Sequence, residues 1–171
     1  MKAVNADAPQ PAYVYDNSPE GELSYDASFY FDPNSTNSGG EPIDIFTGLD
    51  QNGQPAFGIQ YEVEGSEYQI RGWAMQNGVP VYMDWVYIAD APQEIEVAWL
   101  SDANAGFSLF VDGRLTGTVI GDTSAYQLDE VLLGPSSNLA AGASGTMYFD
   151  EFTSSRLSAV LHNVYMSVLF K

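Results

Sequence analysis

The chain has 171 residues, 45% of them hydrophobic and 13% aromatic, which suits one domain with a sizeable core and excludes a disordered chain. Five basic residues (Lys2, Arg71, Arg114, Arg156 and Lys171) face 23 acidic ones, for a net charge of −18. Phosphate backbones and anionic membrane surfaces are repelled by such a chain, so nucleic acid is excluded as a partner. With no cysteine, disulfides, zinc–thiolate sites and thiol nucleophiles are excluded as well.

No apolar run is long enough for a membrane-inserting segment, and Met1–Pro9 has no stretch that reads as a signal peptide. The expectation is a cytosolic protein or, preferably, a module or mature fragment of a longer secreted one, placed outside the cell or at its surface. Residues 1–21, with Pro9, Pro11 and Pro19 among Asp, Asn and Ser, read as an extended lead-in or linker.

Strand signals then begin. Leu23, Tyr25, Ala27, Phe29 and Phe31 alternate with polar positions from Glu22 to Asp32, the period of a half-buried strand. The run from Pro33 to Gly40 is a loop, followed by a strand over Pro42–Gly48 and a turn at Asp50-Gln51-Asn52-Gly53. Phe57, Ile59, Tyr61 and Val63 alternate with Gln60, Glu62 and Glu64. Gly65-Ser66 turns into Tyr68–Trp73, and Gln76-Asn77-Gly78 turns into one strand over Val79–Ile88. In that strand, alternation puts Tyr82 with Asp84 on one face and Trp85 with Tyr87 on the other. Ile95, Val97 and Trp99 form the next inward face, with Trp99 in the core. Phe107–Val111 closes at Asp112-Gly113, and Leu115–Ile120, Glu130–Gly134 and Gly145–Phe152 complete the series. About ten such segments with no convincing helix between them predict an all-β, two-sheet antiparallel sandwich or barrel.

The C-terminal stretch, residues 157–171, differs. Leu157, Val160, Leu161, Val164, Tyr165, Val168 and Leu169 are spaced by threes and fours, as on one face of a helix. Poor helix formers among them leave an extra strand open. This apolar tail either packs on its own domain or pairs with another chain, giving a homo-oligomer.

Four segments, Tyr25–Asn34, Ile95–Trp99, Phe107–Gly113 and Gly145–Phe152, together resemble the LamG-like domains of the concanavalin A-like lectin and glucanase group. The resemblance covers residues 22–156. It implies a jelly-roll sandwich appended to a larger extracellular or cell-surface bacterial protein. Its implied roles are carbohydrate binding, adhesion or assembly, often with a structural Ca²⁺. The tail after Arg156 lies outside that pattern.

Chemistry-bearing residues are sparse. Glycosidases of this fold carry Glu-x-Asp-x-x-Glu on one strand, and the chain lacks it. Glu62 with Glu64, and Glu94 with Glu96, share faces, as any solvated strand face arranges. His162, the one histidine, sits in the tail without a nucleophile motif near it. For Ca²⁺, Asp150 in the closing strand is expected to converge with Asp26, Asp32 and Asn34, unless Asp150 merely binds loop amides. For sugar, Tyr68, Trp73, Tyr82, Trp85 and Tyr87 are interleaved with amides and Asp84 in the middle strands. Tyr82 and Asp84, with Tyr68 and Trp73, are the expected ligand-binding residues. The leading expectation is therefore a non-catalytic extracellular module that binds a glycan or a cell-surface protein. The alternatives are a structural subunit assembling through its tail, and a glycoside hydrolase with a non-standard acidic pair.

Overall fold

The computed structural model describes residues 11–137 and 139–158, and all regular structure among them is β. Twelve strands follow in order: β1 (Val14–Asp16), β2 (Glu22–Asp32), β3 (Ile43–Asp50), β4 (Pro55–Glu64), β5 (Glu67–Gln76) and β6 (Val79–Tyr82). Then come β7 (Val86–Ile88), β8 (Gln93–Leu100), β9 (Ala105–Val111), β10 (Arg114–Gly121), β11 (Leu128–Ser137) and β12 (Tyr148–Ser158). Every pairing is antiparallel.

Two layers result. The first sheet runs β10-β9-β8-β2-β12, and the second runs β1-β11-β3-β4-β5 with β6 and β7 side by side along the far edge of β5. They are joined at one corner, where Leu128 of β11 pairs with Glu22 of β2. This is a jelly-roll sandwich, and alternation explains its core. Tyr25, Phe29 and Phe31 of β2 and Trp99 of β8 turn inward to meet Phe46, Phe57 and Tyr61 of the second sheet, all buried. Phe57 is the hub. Its ring stacks on Trp99 with centroids 4.9 Å apart and also touches Tyr25, Phe46 and Phe107.

The hairpins use the expected residues. Asn77 (φ 50°) and Gly78 (φ 80°) join β5 to β6, and Asp112 (φ 49°) and Gly113 (φ 70°) join β9 to β10. Both are pairs with positive φ at the two central positions, which matches the twist of the flanking strands.

Three elements differ from the sequence expectation. Within the stretch read as a lead-in or linker, β1 pairs with β11, and Arg156 of β12 holds it through a 3.0 Å ion pair to Asp16. No alternation marks a three-residue strand, so only its partners reveal it. The closing strand continues to Ser158, into the start of the apolar tail. The remainder of that tail, with His162, lies outside the described residues.

The third difference is that Val79–Ile88 is two strands. Met83 turns into the core, where its thioether meets the positions of Gly72 on β5 and Gly117 on β10. Its amide still bonds Gly72 O at 2.9 Å, but pairing to β5 stops at Tyr82 and resumes at Val86. Trp73 pairs with Tyr82 while Ile70 pairs with Val86, so the break inserts one residue and reverses the alternation. Tyr82 and Tyr87 consequently face the same way.

Replacing Phe57 with alanine removes the ring that four others touch. The expected loss is about 3–5 kcal/mol in urea denaturation. A change below about 1 kcal/mol is inconsistent with this core.

Candidate functional site

The outer face of the second sheet carries the richest side-chain arrangement, and strand register builds it row by row. One row runs Tyr15, Leu132, Thr47, Gly58, Trp73 and Tyr82 across β1, β11, β3, β4, β5 and β6. The next runs Ser137, Asp44, Gln60 and Arg71. A third runs Glu62, Gln69 and Tyr87.

The middle row is hydrogen-bonded along its length. Ser137 Oγ donates to Asp44 Oδ2, and Gln60 Nε2 donates to Asp44 Oδ1 at 3.0 Å. Arg71 donates from Nε and Nη2 to Gln60 Oε1, at 3.0 and 2.8 Å. Asp44 and Gln60 are buried, a position that polar groups tolerate only when bonded in this way.

The row ends in aromatic rings. The Arg71 guanidinium lies over Tyr82, 4.1 Å from the ring centroid, and over Trp85, 4.3 Å from its ring. Trp85, half-buried, stands in the break between β6 and β7. Contacts of this kind hold a guanidinium by cation–π attraction. Beyond Gln60, the Trp73 indole is buried over Gly58, where a Cβ would come within 3.0 Å of Trp73 and 2.5 Å of Phe46 O.

Two clefts share Gln60. One, of about 460 Å³, is bounded by Asp44, Asp50, Gln54, Trp73, Tyr82 and Tyr126. The other, of about 610 Å³, lies among Glu41, Pro42, Arg71 and Leu139. Together they form a groove across β3, β4 and β5. At its end, desolvation lifts the Glu62 carboxyl above its ordinary range; Arg71 opposes this, and Glu64 and Glu41 add to it.

Of the residues expected to bind a ligand, Trp73 and Tyr82 are cross-strand neighbours in this groove. Asp84 is exposed in the break. Tyr68 faces the other way, packed against the core beside Val63. Trp85, assigned by alternation to the face opposite Tyr82, shares Arg71 with it. Asp44, Gln60 and Ser137 were missed, because only register shows them in line. Arg71 had a signal of its own: a lone cation between Gln69 and Trp73 in a chain with five basic residues.

The expected calcium ligands do not all converge. Asp26 and Asp32 lie six residues apart on one extended strand, about 20 Å, with Asp26 opposite Ser155 and Asp32 opposite Tyr148. Asp32 and Asp150 line one shallow depression, yet Asp32 accepts from the Asn34 amide and Asp150 from the Glu151 amide, both at 2.9 Å. Asn34 spends its side-chain amide on Thr146 O. Among the described residues no group of three or more His, Cys, Asp or Glu side chains is placed to hold a metal ion. The two acidic pairs lie on opposite sheets, Glu62 with Glu64 on β4 and Glu94 with Glu96 on the outer face of β8.

The sequence matches no family model and has no significant match among curated proteins. Solved structures do resemble it. An alginate lyase in complex with dimannuronate superposes with a TM-score of 0.62 at 13% identity, over 93% of this chain and 74% of that one. The two share a jelly-roll fold. An alginate lyase from Pseudomonas aeruginosa matches at a TM-score of 0.54 and 11% identity, over 80% of this chain and 65% of that one. The ligand-binding domain of botulinum neurotoxin serotype D, in complex with N-acetylneuraminic acid, gives 0.52 at 11% identity, over 90% of this chain and 38% of that one. The jelly roll thus spans about two thirds of the Pseudomonas lyase and just over a third of the toxin chain. At these identities the likeness is one of fold.

Gly58→Ala tests the floor of the groove. The added methyl must move backbone or the Trp73 indole, at an expected cost of about 1–3 kcal/mol with a changed near-UV circular dichroism spectrum. An unaltered spectrum and urea midpoint contradict the packing described.

Proposed function

We propose that this jelly roll is a non-catalytic extracellular module that binds a glycan in the groove on the outer face of its second sheet. The observation that carries the reading is the Arg71-braced pair of Tyr82 and Trp85, flanked by Tyr87 and the Asp44–Gln60 row. Sugar rings have one apolar face and an equatorial rim of hydroxyls. Fixed aromatic rings take the former, and amides and carboxylates take the latter. Rings held by a guanidinium lose little freedom on binding, which favours affinity. The LamG-like segments of the sequence and the glycans bound by the structural neighbours support the same class of ligand.

Binding without turnover suits the groove chemistry. Both Asp44 oxygens accept from protein donors, which takes this carboxylate out of the role of general base. Cleavage of alginate is the second reading, favoured by superposition over 93% of the chain on a lyase. Incubation of the protein with alginate, followed by size analysis of the polymer, separates the two; unchanged polymer length is expected.

A glycan array with the intact chain tests the proposal. Tyr82→Ala and Trp85→Ala are each expected to weaken the best glycan by about 2- to 10-fold, the value of one aromatic stacking contact. Ile120→Ala, on the opposite sheet, is expected to leave it unchanged. Equal binding by all three variants removes the groove from the reading.

A further inference from the structure

We infer that the groove selects uncharged glycans and rejects those carrying carboxylate or sulfate groups. This rests on the glycan-binding reading and adds the ligand class. Four carboxylates lie in or beside the groove: Glu41 lines one cleft, Asp44 and Asp50 the other, and Glu62 stands at its end. Against them Arg71 is, among the described residues, the one cation lining either cleft. Its side-on Nε–Nη2 edge, one of the two edges by which a guanidinium grips a carboxylate in a bidentate pair, is occupied by Gln60 Oε1. Two rings lie against its guanidinium, at 4.1 and 4.3 Å.

An anionic sugar entering the groove therefore meets net negative charge at close range with no free side-on fork to receive it. Contacts a few ångströms apart are well inside the screening length of about 8 Å at physiological salt, so salt does not remove this penalty. The net charge of −18 adds a long-range barrier that salt does screen. For a neutral sugar the same groups are assets. Hydroxyls donate, and the Glu41 carboxylate and the Gln54 amide oxygen accept, the former in charge-assisted hydrogen bonds, while Asp50 is engaged by Asn52 and Gln54 in its own turn and contributes charge. The expected preference is opposite to that of the neighbours bound to dimannuronate and N-acetylneuraminic acid.

The test compares ligands matched in all but charge. Titration calorimetry of the full chain is run with mannopentaose against pentamannuronate, which differ at the C6 carboxylate, and with the methyl ester of sialyllactose against sialyllactose itself. A wider panel of neutral oligosaccharides (gluco-, galacto- and xylo-configured) is included. The expected result is saturable binding of at least one neutral oligosaccharide, at least 10-fold tighter than any anionic one at physiological salt, with a margin that narrows but persists at high salt. Glu41→Gln combined with Asp50→Asn is expected to narrow the difference within a matched pair. Tighter binding of pentamannuronate or sialyllactose than of its neutral partner overturns the inference while leaving the glycan-binding reading intact. Failure of every oligosaccharide, neutral and anionic, overturns that reading and the selectivity with it.

Discussion

The hydrogen bonds from Arg71 to Gln60 are the contact on which the functional surface depends. They join β5 to β4 on the outer face, and Gln60 passes the constraint to Asp44 on β3 and Ser137 on β11. Four strands thus have their register marked by one polar row. A one-residue slip in any of them would carry its member of the row into the core, where an unpaired amide or guanidinium is costly. Strand pairing and polar satisfaction support each other here, which is how a sheet specifies one arrangement among many.

The same strands are divided between two tasks. On β4, Phe57, Ile59 and Tyr61 fill the core while Gly58, Gln60 and Glu62 form the groove. Glycines set the spacing where space is short. Gly58 lets the Trp73 indole lie low on the sheet, and Gly72 and Gly117 make room for Met83 between the layers. Met83 in turn ends β6 and brings Trp85 round to Arg71. A core packing event therefore shapes the aromatic end of the groove, and the link runs through a single residue of extra chain.

Much of the fold was legible because amphipathic strands write their partition into sequence. Glu22–Asp32 and Ile95–Trp99 alternate in the sequence and again in burial, and Trp99 is in the core as its neighbours imply, whereas on β4 the positions from Ala56 to Tyr61 are buried on both faces. The hairpin turns at Asn77-Gly78 and Asp112-Gly113 were legible for a backbone reason, since few residues tolerate positive φ. What depended on distant partners was not legible. The short β1 exists because β11 and Arg156 receive it. The reversal of faces after Tyr82 accompanies the entry of Met83 between the sheets, where Gly72 and Gly117 leave it room, and no local pattern reports that. Part of the candidate site, Trp73 and Tyr82, was legible from aromatic residues interleaved with polar ones. The rest, Asp44, Gln60, Arg71 and Ser137, is dispersed over residues 44 to 137 and becomes a line only when the strands pair.

The central claim is that Arg71 is held against two rings and anchored by Gln60 in the unliganded protein. Nitrogen-edited NMR of the arginine Nε–H groups reads this directly. Arg71 is predicted to give one sharp Nε–H resonance, shifted upfield by the ring currents of Tyr82 and Trp85 and slow to exchange with water. It should move on Gln60→Leu substitution. A resonance at the position of a solvated arginine, exchanging freely and indifferent to that substitution, would contradict the account.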